Sequence, residues 1–181
     1  MADGTLKVGT ITTSSGSGTI TLGQSGETIA IPSGVTMTGM GKVLQVVQGT
    51  SSTQTSNNTT SYADTTLSAS ITPSSTSNKV LVMLTQKLFI QTGTSDRGAI
   101  KIKLLRTSTD IWEDTNFYFQ TTGISGETDR FVAMNYLDSP ATTSATTYKS
   151  QFAIDSTATN KIAYAQRSSM PSYLTLIEIA G

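Results

Sequence analysis

The 181-residue chain contains neither cysteine nor histidine. Without cysteine there is no disulfide framework, thiolate metal site or thiol nucleophile. Without histidine the commonest general base and metal ligand is gone, and with it serine-hydrolase triads and HExxH zinc sites. Charge is scarce too: 13% of residues are charged, with 12 basic and 12 acidic side chains in balance. Attraction to nucleic acid or to an anionic membrane needs a clustered basic excess, which this composition lacks. No stretch approaches the roughly 18 apolar residues that cross a bilayer. The opening MADGTLKVGT lacks the apolar core of a secretory signal, so the expected route out of a cell is lysis or an assembled particle. These absences predict a protein that is not an enzyme, holds no cofactor or metal, and does not insert in a membrane.

Hydroxyl groups supply the polarity instead, with 34 threonines and 24 serines. Threonine is β-branched and favours strands, whereas serine, glycine and asparagine favour turns. Residues 1–41 carry only Asp3, Lys7 and Glu27 as charges. Thr10-Ile11-Thr12, Thr19-Ile20-Thr21 and Thr28-Ile29-Ala30 recur there at intervals of nine, separated by glycine-rich turns. Short strand–turn units that bury one isoleucine each cannot make a core alone, so Ile11, Ile20 and Ile29 are expected to pack on stacked coils or on other copies of the chain. Fully extended, such a segment reaches roughly 130 Å, enough for a shaft or anchor. A flexible Gly/Ser linker is the competing reading.

Residues 42–181 read as one antiparallel β domain of the sandwich or jelly-roll kind, with strands expected over 42–48, 67–72, 79–91, 99–107, 116–122, 129–137, 146–154, 161–167 and 173–179. Ile100, Ile102 and Leu104 alternate with Lys101 and Lys103, a period of two with one wet face. Over 79–90 the spacing of Leu81, Leu84 and Leu88 also suits a helix, but the valine-rich start favours a strand. Two strands are apolar on both faces: Val132, Met134 and Tyr136 oppose Phe131, Ala133 and Leu137, and Tyr173, Ile177 and Ile179 oppose Leu174 and Leu176. Antiparallel sheets usually leave one face to water. With no helix to cover it, the second face, assigned to Val132, Met134, Tyr136, Tyr173, Ile177 and Ile179, predicts an interface with further copies of the chain.

The segments TLKVGTITTSSG, GKVLQVVQGT, DTTLSASITPSSTSNKVLVML, LDSPATTSATTYK and SYLTLIEIAG, in that order, resemble tail-fibre and virion-fibre proteins of marine bacteriophages of the cyanophage and pelagiphage type. The resemblance implies a homotrimeric appendage on the virion surface. Its N-terminal part would attach to other virion proteins, and its β-sandwich knob would contact host surface glycan or protein. A shorter relative of such fibres would instead be a capsid decoration protein or head fibre with no receptor to bind. A secreted ice- or carbohydrate-binding module is a third class, suggested by the Thr-Ile-Thr repeats.

Candidate contact residues fall in two expected loops. Asp96 and Arg97 could form a recognition tip, or simply an ion-paired turn. Trp112, flanked by Asp110, Glu113 and Asp114, could stack on a sugar ring, or fill the core as a lone tryptophan often does. The three acids could gather calcium, but they match no standard calcium loop. Glu113 and Asp114 cannot serve as a glycosidase pair, because neighbours on a strand point to opposite faces.

Overall fold

The computed structural model describes residues 10–11, 26, 28, 43–93, 98–120, 126–157 and 160–181, with only the backbone at 116 and 118–120. The chain divides into two compact units, Met1–Met40 and Gly41–Gly181. In the first, Ile11 is exposed at 54%. Ile20, Ile29 and the rest of the expected repeat lie outside the described residues.

The second unit is antiparallel β throughout. Its strands are β1 (Val43–Ser51), β2 (Thr55–Asn57), β3 (Ala63–Ile71), β4 (Lys79–Thr92), β5 (Gly98–Arg106), β6 (Thr109–Gln120), β7 (Gly126–Asp138), β8 (Thr146–Ile154), β9 (Ile162–Ala165) and β10 (Ser172–Ile179). The alternation that defines a strand is plainest in β3, where Thr65, Leu67, Ala69 and Ile71 are buried while Asp64, Thr66, Ser68 and Ser70 face water. Among the described residues there is no α-helix, only a single 3-10 turn at Arg167–Ser169.

The strands form two sheets. The smaller runs β3-β8-β5-β6. The larger is organised by β4, which pairs with β7 from Val80 to Thr92 along one edge. Its other edge is shared end to end, by β10 over Lys79–Thr85 and by β9 over Leu88–Gln91. Strands β1 and β2 then flank β10 and β9. The facing sides of the two sheets supply one core: Leu67, Ile100, Ile102, Leu104, Tyr148 and Phe152 from the smaller, and Val80, Val82, Leu84, Leu88, Leu174 and Leu176 from the larger.

At one corner the sheets nearly touch. A Cβ on Gly49 would lie 1.9 Å from the Ser68 carbonyl oxygen, so only glycine lets β1 pass β3 there. Beside it Thr66 takes a left-handed φ of 64° at a break in the β3–β8 register, and its hydroxyl meets Ser51 Oγ at 2.8 Å.

Three expectations are revised, and one open choice falls as expected. The three-residue β2 had no apolar run to announce it. It is held by Asn57, whose side-chain amide donates to the Ser61 and Phe152 carbonyls while its Oδ1 accepts from the Thr59 backbone. Strand β6 begins at Thr109, seven residues before the expected start, so Asp110–Asp114 is strand rather than loop. The connection is instead the two-residue Thr107-Ser108 turn. The ambiguous run over 79–90 is strand: Val80, Val82, Leu84, Leu88 and Ile90 are buried at period two, and Leu81 turns outward. Finally, Val132 and Met134 belong to the core and do not form an outer surface. Pairing decides this, since they sit opposite Gln86 and Leu84, whose strand already points its even residues inward. Tyr136 shares their face and packs on the core.

Candidate functional site

Glu113 lies on the outward side of β6, opposite Lys103. It accepts a hydrogen bond from the Tyr62 hydroxyl. The Tyr62 ring lies 4.9 Å from Lys101 Nζ and 4.5 Å from Lys103 Nζ, and Lys103 also pairs with Asp110 at 3.0 Å. Burial, then the Glu113 hydrogen bond and charge, then Asp110 and Asp114, push the Tyr62 hydroxyl well above its ordinary pKa. Trp112 sits opposite Leu104 on the inward side and packs against the core. Trp112 and Glu113 therefore point to different sides of one strand, and Glu113 closes over Tyr62, while Asp114 sits opposite Ile102 on the tryptophan's side. Among the described residues no three acidic side chains are placed to hold a metal. Asp96 and Arg97 lie outside the described residues.

The outward face of the larger sheet has two chemically distinct ends. At one end the register sets Val46, Ile177, Leu81 and Leu137 in a row across β1, β10, β4 and β7. Val46 is 59% exposed and Leu137 50%. Val43, Leu44 and Met83 are exposed beside this row, and Ile179 is half-buried. Tyr173 continues the outward side of β10. Of the six residues expected at an interface, Tyr173, Ile177 and Ile179 thus lie on an outward face. On β7 the outward apolar residues are Phe131, Ala133 and Leu137.

Toward the far end the same face becomes a groove of about 290 Å³ lined by Lys87, Phe89, Glu127, Asp129, Arg167 and Ser168. Strand β4 supplies Lys87 and Phe89 and β7 supplies Glu127 and Asp129, all at outward positions. Arg167 reaches in from the 3-10 turn and lays its guanidinium 3.6 Å from the Phe89 ring centroid, with Tyr164 edge-on to Phe89 at 5.6 Å. It also pairs with Glu127 at 3.0 Å, and Lys87 pairs with Asp129. Phe131, 53% exposed, stands beside Lys87 with its ring centroid 5.8 Å from Nζ.

The backbone that presents Arg167 is held from both sides. The Gln166 N–H donates to the Lys87 carbonyl at 3.1 Å, and the Ser168 N–H donates to Gln54 Oε1 at 3.1 Å. Gln166 is itself fully buried. With its amide oriented to satisfy both ends, it donates to the Thr65 carbonyl and accepts from Gln86 Nε2. Gln166, Ser168 and Ser169 all have left-handed φ, 51°, 59° and 56°. For residues other than glycine such conformations cost free energy and persist only where surrounding structure imposes them.

This groove was not legible in the sequence. In the sequence Glu127 and Asp129 are two ordinary acids of a polar stretch, and nothing links them to Arg167 forty residues away. The one local signal was the i, i+2 spacing of the two acids, which puts both on one face. Compared with protein-family models and with curated protein sequences, the chain matches none.

Proposed function

We propose that this chain is a structural subunit of a bacteriophage particle. Its C-terminal unit is a sandwich knob that closes as a homotrimer, and its N-terminal segment is the shaft or anchor that attaches to other virion proteins. The knob contacts the host surface. One observation carries the reading: the outward apolar row Val46–Ile177–Leu81–Leu137, exposed at Val46 and Leu137 and half-buried between them, with exposed Val43, Leu44 and Met83 beside it. A single chain leaves this surface in water. Burying a half-exposed aliphatic side chain yields about 1 kcal/mol, so several of them across each interface between copies outweigh part of the association cost. In a closed trimer each copy meets two neighbours through different parts of its surface, and a row that spans the sheet from β1 to β7 offers one part to each. The fibre-like wording of the sequence and the nine-residue repeat of the first unit support the same role.

Light scattering on the full-length protein after gel filtration tests the reading. The expected mass is three times 19.1 kDa. Val46→Asp combined with Leu137→Asp is expected to yield folded monomer. A monomeric parent protein at micromolar concentration would sink the trimer and favour a decoration subunit that docks on a shell.

A further inference from the structure

We infer that the groove formed by Lys87, Phe89, Glu127, Asp129, Arg167 and Ser168, with Phe131 at its rim, is a binding subsite for an uncharged sugar ring. This gives the host-contact role proposed above a ligand class and rests on that role for its biological meaning, while the chemistry stands on the groove itself. Three observations converge. First, the cavity of about 290 Å³ matches the lower end of small-ligand sites, and it is open on the outward face of the sheet.

Second, its polar groups come as two cations and two anions, paired Arg167 with Glu127 and Lys87 with Asp129. The carboxylates are more than half exposed, at 54% and 55% of their side-chain surface. Each carboxylate has acceptor positions beyond the one its cation occupies, and each cation has further N–H donors. Neighbouring hydroxyls on a sugar offer the complementary set, donating to carboxylates and accepting from guanidinium and ammonium. With a local charge of zero the groove gains nothing from a charged ligand, which separates an uncharged glycan from acidic polysaccharide or nucleic acid.

Third, a sugar ring has an apolar C–H face, and the exposed ring of Phe131 beside Lys87 offers a flat surface for it. Ordinary surface ion pairs need none of the surrounding framework and contribute little on their own. Here three residues are kept in left-handed conformations around Arg167, and a buried glutamine anchors the turn from within. That pre-set geometry is what a weak, hydroxyl-directed ligand requires, because any ordering left to the moment of binding would cancel its affinity.

The test is saturation-transfer NMR and calorimetry on the full-length protein. The probes are glucose, galactose, mannose and oligomers of N-acetylglucosamine, with a uronic acid oligomer for comparison. At least one uncharged series is expected to bind with a dissociation constant that changes less than about twofold between about 50 mM and 500 mM salt. Phe131→Ala, and separately Glu127→Gln with Asp129→Asn, are each expected to weaken that binding about tenfold or more. Thermal melting would show both variants folded. The inference is overturned if no uncharged probe binds at tens of millimolar, if only the uronic oligomer binds, or if neither variant changes affinity. Light scattering on the same samples separates the two proposals. A monomer that binds sugar removes the trimer and keeps the groove, whereas a trimer that binds none does the reverse. A loss of trimer mass in Phe131→Ala would assign the groove to the contact between copies and so overturn it as a sugar site.

Discussion

Glu178 shows how much one residue can carry in a chain with so few charges. It is fully buried near the end of β10, yet no cation faces it among its described partners. Its carboxylate instead accepts from Gln45 Nε2, from the Ser74 backbone N–H at 2.7 Å and hydroxyl at 2.8 Å, and from Asn78 Nδ2 at 2.6 Å. Burial alone would raise its pKa; the donors outweigh burial and hold it below the ordinary carboxylate value. One side chain thereby ties together β1, the 72–78 turn and β10. Because the folded-state pKa is depressed, the stability it contributes is complete above the unfolded value near 4.5 and is lost as pH falls below it. Glu178→Ala is expected to cost about 2–4 kcal/mol at pH 7, since it strands several buried donors. In urea unfolding at pH 7 and pH 3, the penalty of the variant should shrink at the lower pH. An equal penalty at both would show that the carboxylate is not acting as an anion.

At the scale of elements, the two sheets are joined at one end by a staple of three strands. Asp138, buried at the end of β7, accepts from Arg106 Nη1 of β5 at 2.8 Å and from the Tyr148 hydroxyl of β8 at 2.6 Å. Burial, then the bond to Asp138 and its negative charge, push the Tyr148 hydroxyl far above its ordinary value of 10.0. A raised folded-state pKa means that the stability is fully present below pH 10 and declines as pH climbs past it. Tyr148→Phe keeps the ring in the core and removes only the hydroxyl. Its expected cost is about 1–2 kcal/mol, or a few degrees in melting temperature. Its melting curve should also lose less than the parent's between pH 9 and pH 11. If the two alkaline profiles coincide, the hydroxyl is not what couples the sheets.

At the scale of the whole molecule, the larger sheet is a two-ended surface, apolar where β1 and β10 lie and polar where the Arg167 turn lies. The proposed assembly uses the first end and the proposed sugar site the second. An assembly held by aliphatic burial responds little to ionic strength. The mass of the full-length protein should therefore stay constant from about 50 mM to 500 mM salt. Dissociation at high salt would move the interface from the apolar row to the ion pairs of the groove.

Period-two patterning and turn-forming residues were enough to locate nine of the described strands, β6 only by its second half, because both signals are local. The same patterning recognised that β7 and β10 are apolar on both sides. It could not say which side of β7 faces inward, since alternation is symmetric until a neighbouring strand breaks the tie. Pairing with β4 buried Val132 and Met134 and turned Phe131 and Leu137 out. Strand β2 escaped notice because a three-residue strand is held by the side-chain bonds of Asn57 rather than by an apolar run. The groove was hidden for a related reason. Lys87, Glu127 and Arg167 are each unremarkable in sequence and meet only because β4, β7 and the turn after β9 end side by side. The sequence by itself determined an all-β chain with strands apolar on two sides, because backbone periodicity is local. Only the tertiary structure decided which faces meet water and which distant charges meet each other, because strand register is a property of pairs.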